Sequence, residues 1–319
     1  MSETKRIGLI IGREWSWPQA FMNEVNSRGA GVVAEFVELG GTYMGEPCPY
    51  TVIFDRISHE IPYYRFYIKY AALQGCYVIN NPFTWSADDR FFGIALLHKL
   101  NVKVPRTVIL PNKGVETESV PESFRNLKYP MDWQGIISYV GVPAILKDSR
   151  CGISRRSYWV RDVENLIQCY DESDTATMVL QETIESNTHL HCFVIGQQEV
   201  LAVRYDKEAA RYTEQPPFDG IDPTLEERMT RASLIISRAF GYDVNMVEFV
   251  VKDGEPYVIN ATYPTPDLDV NRMSAVHFNW CVQKMADFAI DVALNPRPQP
   301  SHYPWQKLLD EYGTKPGNQ

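Results

Sequence analysis

No two cysteines fall in a CxxC spacing in this chain of 319 residues; Cys48, Cys76, Cys151, Cys169, Cys192 and Cys281 are scattered singly. That argues against a paired-thiolate zinc site and a dense disulfide framework, and reduced thiols in a cytosol are expected. The six histidines have no metal-ligand spacing either. Basic excess is missing: the formal net charge is −9. A general nucleic-acid binder would show the opposite balance, although a local basic pocket is compatible with an acidic chain. No apolar run approaches the roughly 20 residues needed to span a bilayer. No apolar segment of export length follows Met1-Ser-Glu-Thr-Lys-Arg6, so the expected location is the cytoplasm, away from membranes. The first strand region, Gly8-Leu-Ile-Ile-Gly12-Arg13, is not followed by GxGxxG, which removes the dinucleotide fingerprint. There is no internal repeat.

Hydrophobic residues make up 45% and charged residues 22%, the proportions of a soluble globular protein with room for two or three lobes. The first lobe reads as strands alternating with helices. Strands are expected at Arg6–Ile11, Gly31–Leu39, Tyr50–Asp55 and Cys76–Asn80. Helices are expected at Trp17–Arg28, with Trp17, Phe21 and Val25 on one face, and at Pro62–Gln74. This order implies parallel pairing in an open sheet, closed at the Asn81-Pro82 turn. A helix over Ala87–Leu100 follows Ser86 as N-cap, with Asp88 and Asp89 in its first turn. The polar stretch Asn112–Tyr129 reads as helix and loop. Strands then fall at Val142–Lys147, Tyr158–Val160, Thr177–Gln181, Leu190–Ile195 and Glu199–Tyr205. Helices fall at Val163–Tyr170, Thr224–Phe240 (closed by Gly241) and Met273–Leu294. From Asn295 on, the chain reads as a Pro-rich extended arm.

The richest segment runs from Met246 to Thr262. Two β-branched strands flank Lys252-Asp253-Gly254-Glu255, a strong hairpin signal. Strand alternation sends Glu248 from one strand, and Asn260 and Thr262 from the other, to a common face. One carboxylate opposite two neutral oxygen donors suits a hard cation such as Mg2+ or Mn2+.

Other polar groups admit two readings each. Lys147 ends the apolar strand Pro143-Ala-Ile-Leu-Lys147 and suits a phosphate as a point charge; an isolated strand-end lysine in solvent reads the same. Asp148–Ser157 holds three arginines, several hydroxyls and one glycine, either a loop over phosphates or a basic surface loop. Val179-Leu-Gln-Glu-Thr-Ile-Glu185 runs into a connection whose backbone could pair with an adenine edge, with Glu185 near ribose hydroxyls, or is an ordinary polar link. Arg204, Lys207 and Arg211 either neutralise phosphate charge or form a solvated face. His189 and His191 alternate onto one face, which favours a polar surface role over a metal site because no third ligand is evident.

Taken in order, these segments resemble the ATP-grasp superfamily, and within it the RimK-like and glutathione-synthetase-like branch. The resemblance spans residues 5–292. It rests on Val78-Ile-Asn-Asn-Pro82, the helix from Asp89-Arg90, Val104-Pro-Arg-Thr107, Pro143–Lys147, Val179-Leu-Gln-Glu-Thr-Ile184, Phe193-Val-Ile-Gly196 and the hairpin. It implies an α/β and α+β architecture: an N-terminal open parallel-sheet preATP-grasp lobe (1–86), a lid and central subdomain (87–183), a C-terminal subdomain (184–294) and the Pro-rich tail (295–319). It implies ATP with Mg2+ or Mn2+. It also implies chemistry that activates a carboxylate as an acyl phosphate and passes it to an amine. By position, Arg90 and Lys147 would meet phosphates. Gln181, Glu182 and Ile184 would line the adenine, and Glu185 or His189 would lie near the ribose. Arg204, with Lys207, would stabilise the transferring phosphoryl group, and Glu248, Asn260 and Thr262 would face the metal.

The departures are specific. Arg90 stands where a second lysine is usual, the lid has little glycine, and the second hairpin strand carries Asn260 where a glutamate is expected. An amide there removes a full negative charge, for which Asp267 and Asp269 are candidate replacements. Two functions follow: an ATP-dependent ligase joining a small-molecule or peptide carboxylate to an amine, or an ATP-grasp-like binding protein without catalysis. A kinase on the same scaffold is a third. Substrate identity is expected to lie in the first lobe, with Arg13, Arg56 and Ser58 as candidates. A homo-oligomer is left open.

Overall fold

The computed structural model describes residues 4–84, 90–114, 126–128, 130–149, 156–213 and 220–299. The expectations for Ser86, Asp88 and Asp89, and for most of 112–129, of the lid and of the tail, lie outside the described residues. The chain divides into two compact units: Met1–Trp85 with Phe240–Asp243 and Val282–Gln319, and Ser86–Ala239 with Val244–Cys281.

The first unit contains β1 (Lys5–Ile10), α1 (Ser16–Ser27), β2 (Val32–Phe36), β3 (Val52–Asp55), α2 (Pro62–Leu73) and β4 (Tyr77–Ile79). The strands pair in parallel in the order β2-β1-β3-β4. This is the open α/β sheet that alternation of strand and helix requires. Trp17, Phe21 and Val25 are fully buried along one stripe of α1. The Trp17 ring lies 5.0 Å from both Phe21 and Phe54, and Phe21 lies edge-on to Phe54 at 5.4 Å. Each such side chain is worth roughly 1.5–3 kcal/mol of burial, so this aromatic trio anchors α1 to the sheet. Pro62 opens α2 at the position where its missing N–H costs nothing.

The second unit carries two antiparallel sheets. One has the order β5-β8-β6-β7, built from β5 (Thr107–Leu110), β6 (Ala144–Asp148), β7 (Ser157–Val160) and β8 (Met178–Glu182). The other has the order β11-β10-β9-β12-β13. Its strands are β9 (His189–Ile195), β10 (Glu199–Asp206), β11 (Arg211–Tyr212), β12 (Val244–Lys252) and β13 (Glu255–Tyr263). Helices α3 (Arg90–Lys99), α4 (Trp133–Val140), α5 (Val163–Asp171) and α6 (Pro223–Phe240) complete the unit, and α7 (Ala275–Leu294) continues into the first one. The first sheet sets one face against α4 and α5 through Leu110, Ala144, Leu146, Val160, Met178 and Leu180. None of the described helices is long and apolar enough to cross a membrane.

Three elements are absent from the sequence reading: β5, α4 and β11. Trp133-Gln-Gly-Ile-Ile-Ser-Tyr-Val140 is rich in residues that favour strands, yet it is helical. The Asp132 carboxylate caps it by accepting the Gly135 N–H at 2.9 Å, and Ile137 and Val140 turn inward together. A Cβ at position 135 would fall 2.2 Å from Asp132 Oδ2, so the cap requires glycine there. β11 is only two residues long, below what periodicity detects.

Asp243 is buried, and Tyr77 Oη donates to its Oδ2 at 3.0 Å. Burial pushes the carboxyl up to about 6 from 3.8, against the pull of the Tyr77 hydrogen bond and the Arg297 charge. A raised folded-state value gives stability that is complete below about pH 4 and lost as pH rises through 6. Asp243→Asn keeps an acceptor for Tyr77 and cannot ionise. Its stability relative to the native chain is expected to rise by on the order of 2–3 kcal/mol between pH 4 and pH 7. Urea unfolding at several pH values measures this, and parallel pH curves for the two proteins would refute it.

Candidate functional site

The hairpin is where local sequence and geometry agree most closely. Asp253 and Gly254 take φ of 53° and 73°, the two consecutive positive values of a tight hairpin turn, which Asp-Gly adopts readily. The pairing Lys252↔Glu255 fixes the register from that turn. Farther along, the ladder shifts on either side of Glu248: Met246 pairs with Tyr263, Glu248 with Asn260, and Phe249 with Val258. β13 therefore holds an extra residue on each side of Asn260. Bulges re-aim side chains at the cost of ladder hydrogen bonds. The fully buried Asn245 side chain meets that cost: its Nδ2 donates to Ala261 O, and its Oδ1 accepts from Tyr263 N, both at 2.9 Å.

Glu248 and Asn260 are brought together, with Asn260 Nδ2 3.4 Å from Glu248 Oε1. Thr262 is half-buried two residues on. Burial raises the Glu248 carboxyl above its ordinary value. The Asn260 hydrogen bond and the charges of Lys147, Arg90 and Lys207 oppose that rise. Lys147 lies on β6, and its Nζ donates to Gln181 Oε1 at 2.7 Å; Gln181 Nε2 in turn reaches Thr107 Oγ1 at 3.3 Å. The registers Ile145↔Gln181, Gln181↔Thr107 and Ile145↔Trp159 place these groups in one row. Strand alternation then puts Lys147 on the same sheet face, with the half-exposed Trp159 at its edge. Arg90 opens α3, its N–H donating to Ser149 O at 3.1 Å. Its Nε is buried without a hydrogen-bond partner among the described residues, an orphaned donor of the kind a bound anion would satisfy.

The remaining candidates lie around this centre in different ways. The Glu182 carboxylate is held by the Arg106 guanidinium at 3.0–3.1 Å, and its N–H donates to Arg106 O. Ile184 and Glu185 lie in the connection to β9, which is tied to β12 by Ser186 Oγ to Val251 O and by Val251 N to Thr188 O. His189 opens β9, lowered by burial and the Lys207 charge. Arg204 is set apart: it pairs with Leu190, one step out of phase with the His191↔Glu248 row. Alternation therefore sends it to the opposite face, where Nη2 donates to Gly220 O at 3.1 Å.

Sequence reasoning missed the packing beneath Glu248. His191 stacks on Tyr205 at 4.4 Å, and its Nδ1 lies 3.2 Å from Tyr212 Oη, which donates to Met246 Sδ. Burial drives His191 down to about 3, so it is neutral at physiological pH. The periodicity of β9 signalled the shared face of the two histidines but not which of them is enclosed. Asp267 pairs with Arg272 at 2.6 Å, and Asp269 Oδ1 accepts from Asn271 N. Among the described residues, no three His, Cys, Asp or Glu side chains gather as a metal site. Glu248 and the Asn260 amide oxygen fit one hard cation whose other ligands come from phosphate and water, since Mg2+ commonly takes one or two carboxylates. In the first unit, Arg56 is sealed against Glu14 with its guanidinium 4.5 Å over Trp17, and Ser58 is bonded to Asp55. Both serve the lobe's interior, whereas Arg13 is exposed.

No protein-family model matches the sequence, and no curated protein matches it. Solved structures do. A RimK-domain ATP-grasp protein from Sphaerobacter thermophilus superposes with TM-score 0.64 at 16% identity, over 89% of this chain and 99% of that one. D-alanine–D-alanine ligase from Bacillus anthracis gives 0.61 at 18%, over 91% and 97%. The ATP-grasp ligase PsnB, complexed with a minimal precursor, gives 0.60 at 16%, over 90% and 99%. A parallel α/β lobe joined to two antiparallel sheets is thus shared along nearly the whole chain. The chain has the ATP-grasp fold.

Asn245→Ala leaves Ala261 O and Tyr263 N without the amide that now serves them. The expected loss of stability is on the order of 2–6 kcal/mol, from one to three for each of the two unsatisfied groups. Chemical denaturation measures it, and a loss within about 0.5 kcal/mol, the range of an ordinary surface substitution, would show that the bulges do not depend on this side chain.

Proposed function

We propose that this protein is an ATP-dependent carboxylate–amine ligase acting on an amino acid, a peptide or a similar small carboxylate. The observation that carries the reading is the action of three cationic side chains, Lys147, Arg90 and Lys207, on one half-buried carboxylate paired with Asn260. A triphosphate needs that many positive charges, and Glu248 gives a cation a seat against it. Lys147, already positioned by Gln181, holds phosphate oxygens. Arg90 supplies its orphaned Nε to the same group. Lys207 neutralises charge on the phosphoryl group as it transfers to the substrate carboxylate. An amine then displaces phosphate from the resulting acyl phosphate. The adenine lies against Ile145 and the connection through Ile184, read by backbone groups because the Gln181 and Glu182 side chains are already committed. Glu185 and His189 flank the ribose. Glu248 and Asn260, with Thr262 beside them, would hold a divalent cation, which would supply positive charge against the phosphates. In this arrangement Lys207 takes the catalytic role and Arg204 supports the Gly220 turn. The subdomains 87–183 and 184–294 are the two jaws.

One observation favours a second reading, a nucleotide- or metabolite-binding protein without turnover. The metal seat keeps a single carboxylate, and Asp267 and Asp269 are committed to their own turn. The readings separate on product formation. For the ligase, ADP and phosphate appear only when ATP, Mg2+ or Mn2+, a carboxylate and an amine are all present. An absence of turnover across amino acids and dipeptides would support the binding protein if ATP shifts Tm with metal, and would reject both readings if it does not.

Glu248→Ala is expected to lower turnover by at least about 100-fold, the scale set by losing a ligand that orients charge in the transition state. It should leave Tm unchanged or higher, because burial raises this carboxyl and its ionisation therefore costs stability as pH rises. Turnover equal to the native chain's would remove Glu248 from the site. Asn260→Glu is expected to lower the metal concentration for half-maximal activity, and an unchanged metal titration would remove Asn260.

A further inference from the structure

In the first unit, a cavity of about 150 Å3 lies between the 38–50 loop and α2, with Cys48, Tyr50, Tyr67 and Tyr70 in its wall. Cys48 is half-buried there, while Cys76, at the foot of β4, is 3% exposed. Both pack on the cluster of Ile53, Tyr67, Ile68 and Ala71. The backbone brings them side by side. Cys48 Sγ lies 3.8 Å from Tyr50 O, and the next carbonyl, Thr51 O, accepts Tyr77 N at 3.0 Å. The chain just after Cys48 therefore enters the sheet beside the chain just after Cys76, and although each thiol donates to a nearby backbone carbonyl, Cys48 to Tyr50 O and Cys76 to Tyr77 O, each shifts the titration of the other. Neither residue belongs to the proposed nucleotide machinery.

We propose that Cys48 and Cys76 form a peroxide-oxidised dithiol, in which Cys48 meets the oxidant from the cavity and Cys76 resolves it into an intramolecular disulfide. In the first step the Cys48 thiolate attacks hydrogen peroxide. An S–O bond forms, the O–O bond breaks, and the departing hydroxide takes a proton to become water. Cys48 is then a sulfenic acid. In the second step the Cys76 sulfur attacks the Cys48 sulfur. The S–S bond forms, the S–O bond breaks, and the leaving hydroxide combines with the Cys76 proton as a second water. Two thiols are oxidised by two electrons and one peroxide is reduced.

The local electrostatics assign the two roles. The neighbouring Cys76 thiol draws the Cys48 thiol down to about 7, with the Arg6 charge assisting, so about half of it is thiolate at neutral pH. The influence of Cys48, together with burial, pushes Cys76 well up, which keeps it protonated until its partner is oxidised. Burial raises Cys169 and drives Cys192 up to about 12, so neither competes as a nucleophile. A closed disulfide would tie the 38–50 loop to β4.

The test is made on the reduced full-length chain, treated with hydrogen peroxide, alkylated, and mapped by mass spectrometry without reduction. The expected product is a Cys48–Cys76 linked peptide pair, two hydrogens lighter than the reduced pair. In Cys76→Ala, oxidation is expected to stop at a Cys48 sulfenic acid that dimedone traps. The pH midpoint for Cys48 alkylation should rise from near 7 toward the ordinary thiol value of about 8.5. Cys48 and Cys76 remaining reduced while other cysteines oxidise, or Cys48 pairing with a different cysteine, would overturn the proposal. The native-chain map decides this even if the variant fails to fold.

Discussion

The candidate site depends on one buried amide. Asn245 stands where β13 carries more residues than β12, and its side chain supplies the donor and the acceptor that the interrupted ladder lacks. A regular ladder would have kept Val247 and Glu248 strictly out of phase with a straight partner strand. The bulges instead bend β13 around Asn260 and set that residue opposite Glu248. An irregular strand in a buried sheet is tolerable only when its freed backbone groups are satisfied. The site's geometry is thus held by a residue that touches none of its chemistry.

Around that hairpin, the second unit gathers charge in a way that does not serve folding. Glu248 is half-buried, and that burial raises its carboxyl, so its ionised form weakens the folded state at neutral pH. Nearby, the Arg90 Nε donor is buried with nothing among the described residues to receive it. Stability alone would replace both with apolar groups. In the proposed ligase an anion and a cation would complete the set beside Lys147 and Lys207, above the aromatic packing of neutral His191 against Tyr205 and Tyr212.

Much of this was legible in the sequence where local rules act alone. The Asp-Gly turn, the Trp17–Phe21–Val25 stripe and the parallel sheet of the first unit follow from turn chemistry, period and element order, and the structure has each of them. What was hidden depends on partners distant in sequence. α4 is absent from the sequence reading: its cap comes from Asp132, and the burial of its apolar side chains comes from packing against β-strands on either side in sequence. The burial of Arg56 and Ser58 reflects Glu14, Trp17 and Asp55 around them, whereas their position after a strand suggested an exposed edge. Arg204 was grouped with Lys207 by proximity along the chain. Three residues is an odd step along a strand, and an odd step changes faces.

The neutral amide at position 260 has a further consequence in the proposed ligase. With Glu248 as the one acid and Lys147, Arg90 and Lys207 as the cations acting on it, the centre carries an excess of positive charge before any ligand arrives. A second carboxylate at position 260 would tie up part of that excess and raise the need for metal to screen a triphosphate. The neutral amide leaves more of it to the phosphates directly. In the proposed ligase, Asn260 therefore shifts charge neutralisation from the metal toward the side chains, and orientation of the cation rests on Glu248 alone. The exchange is physically consistent because the three cations come from separate elements, α3, β6 and the residue after β10, and not from one strand.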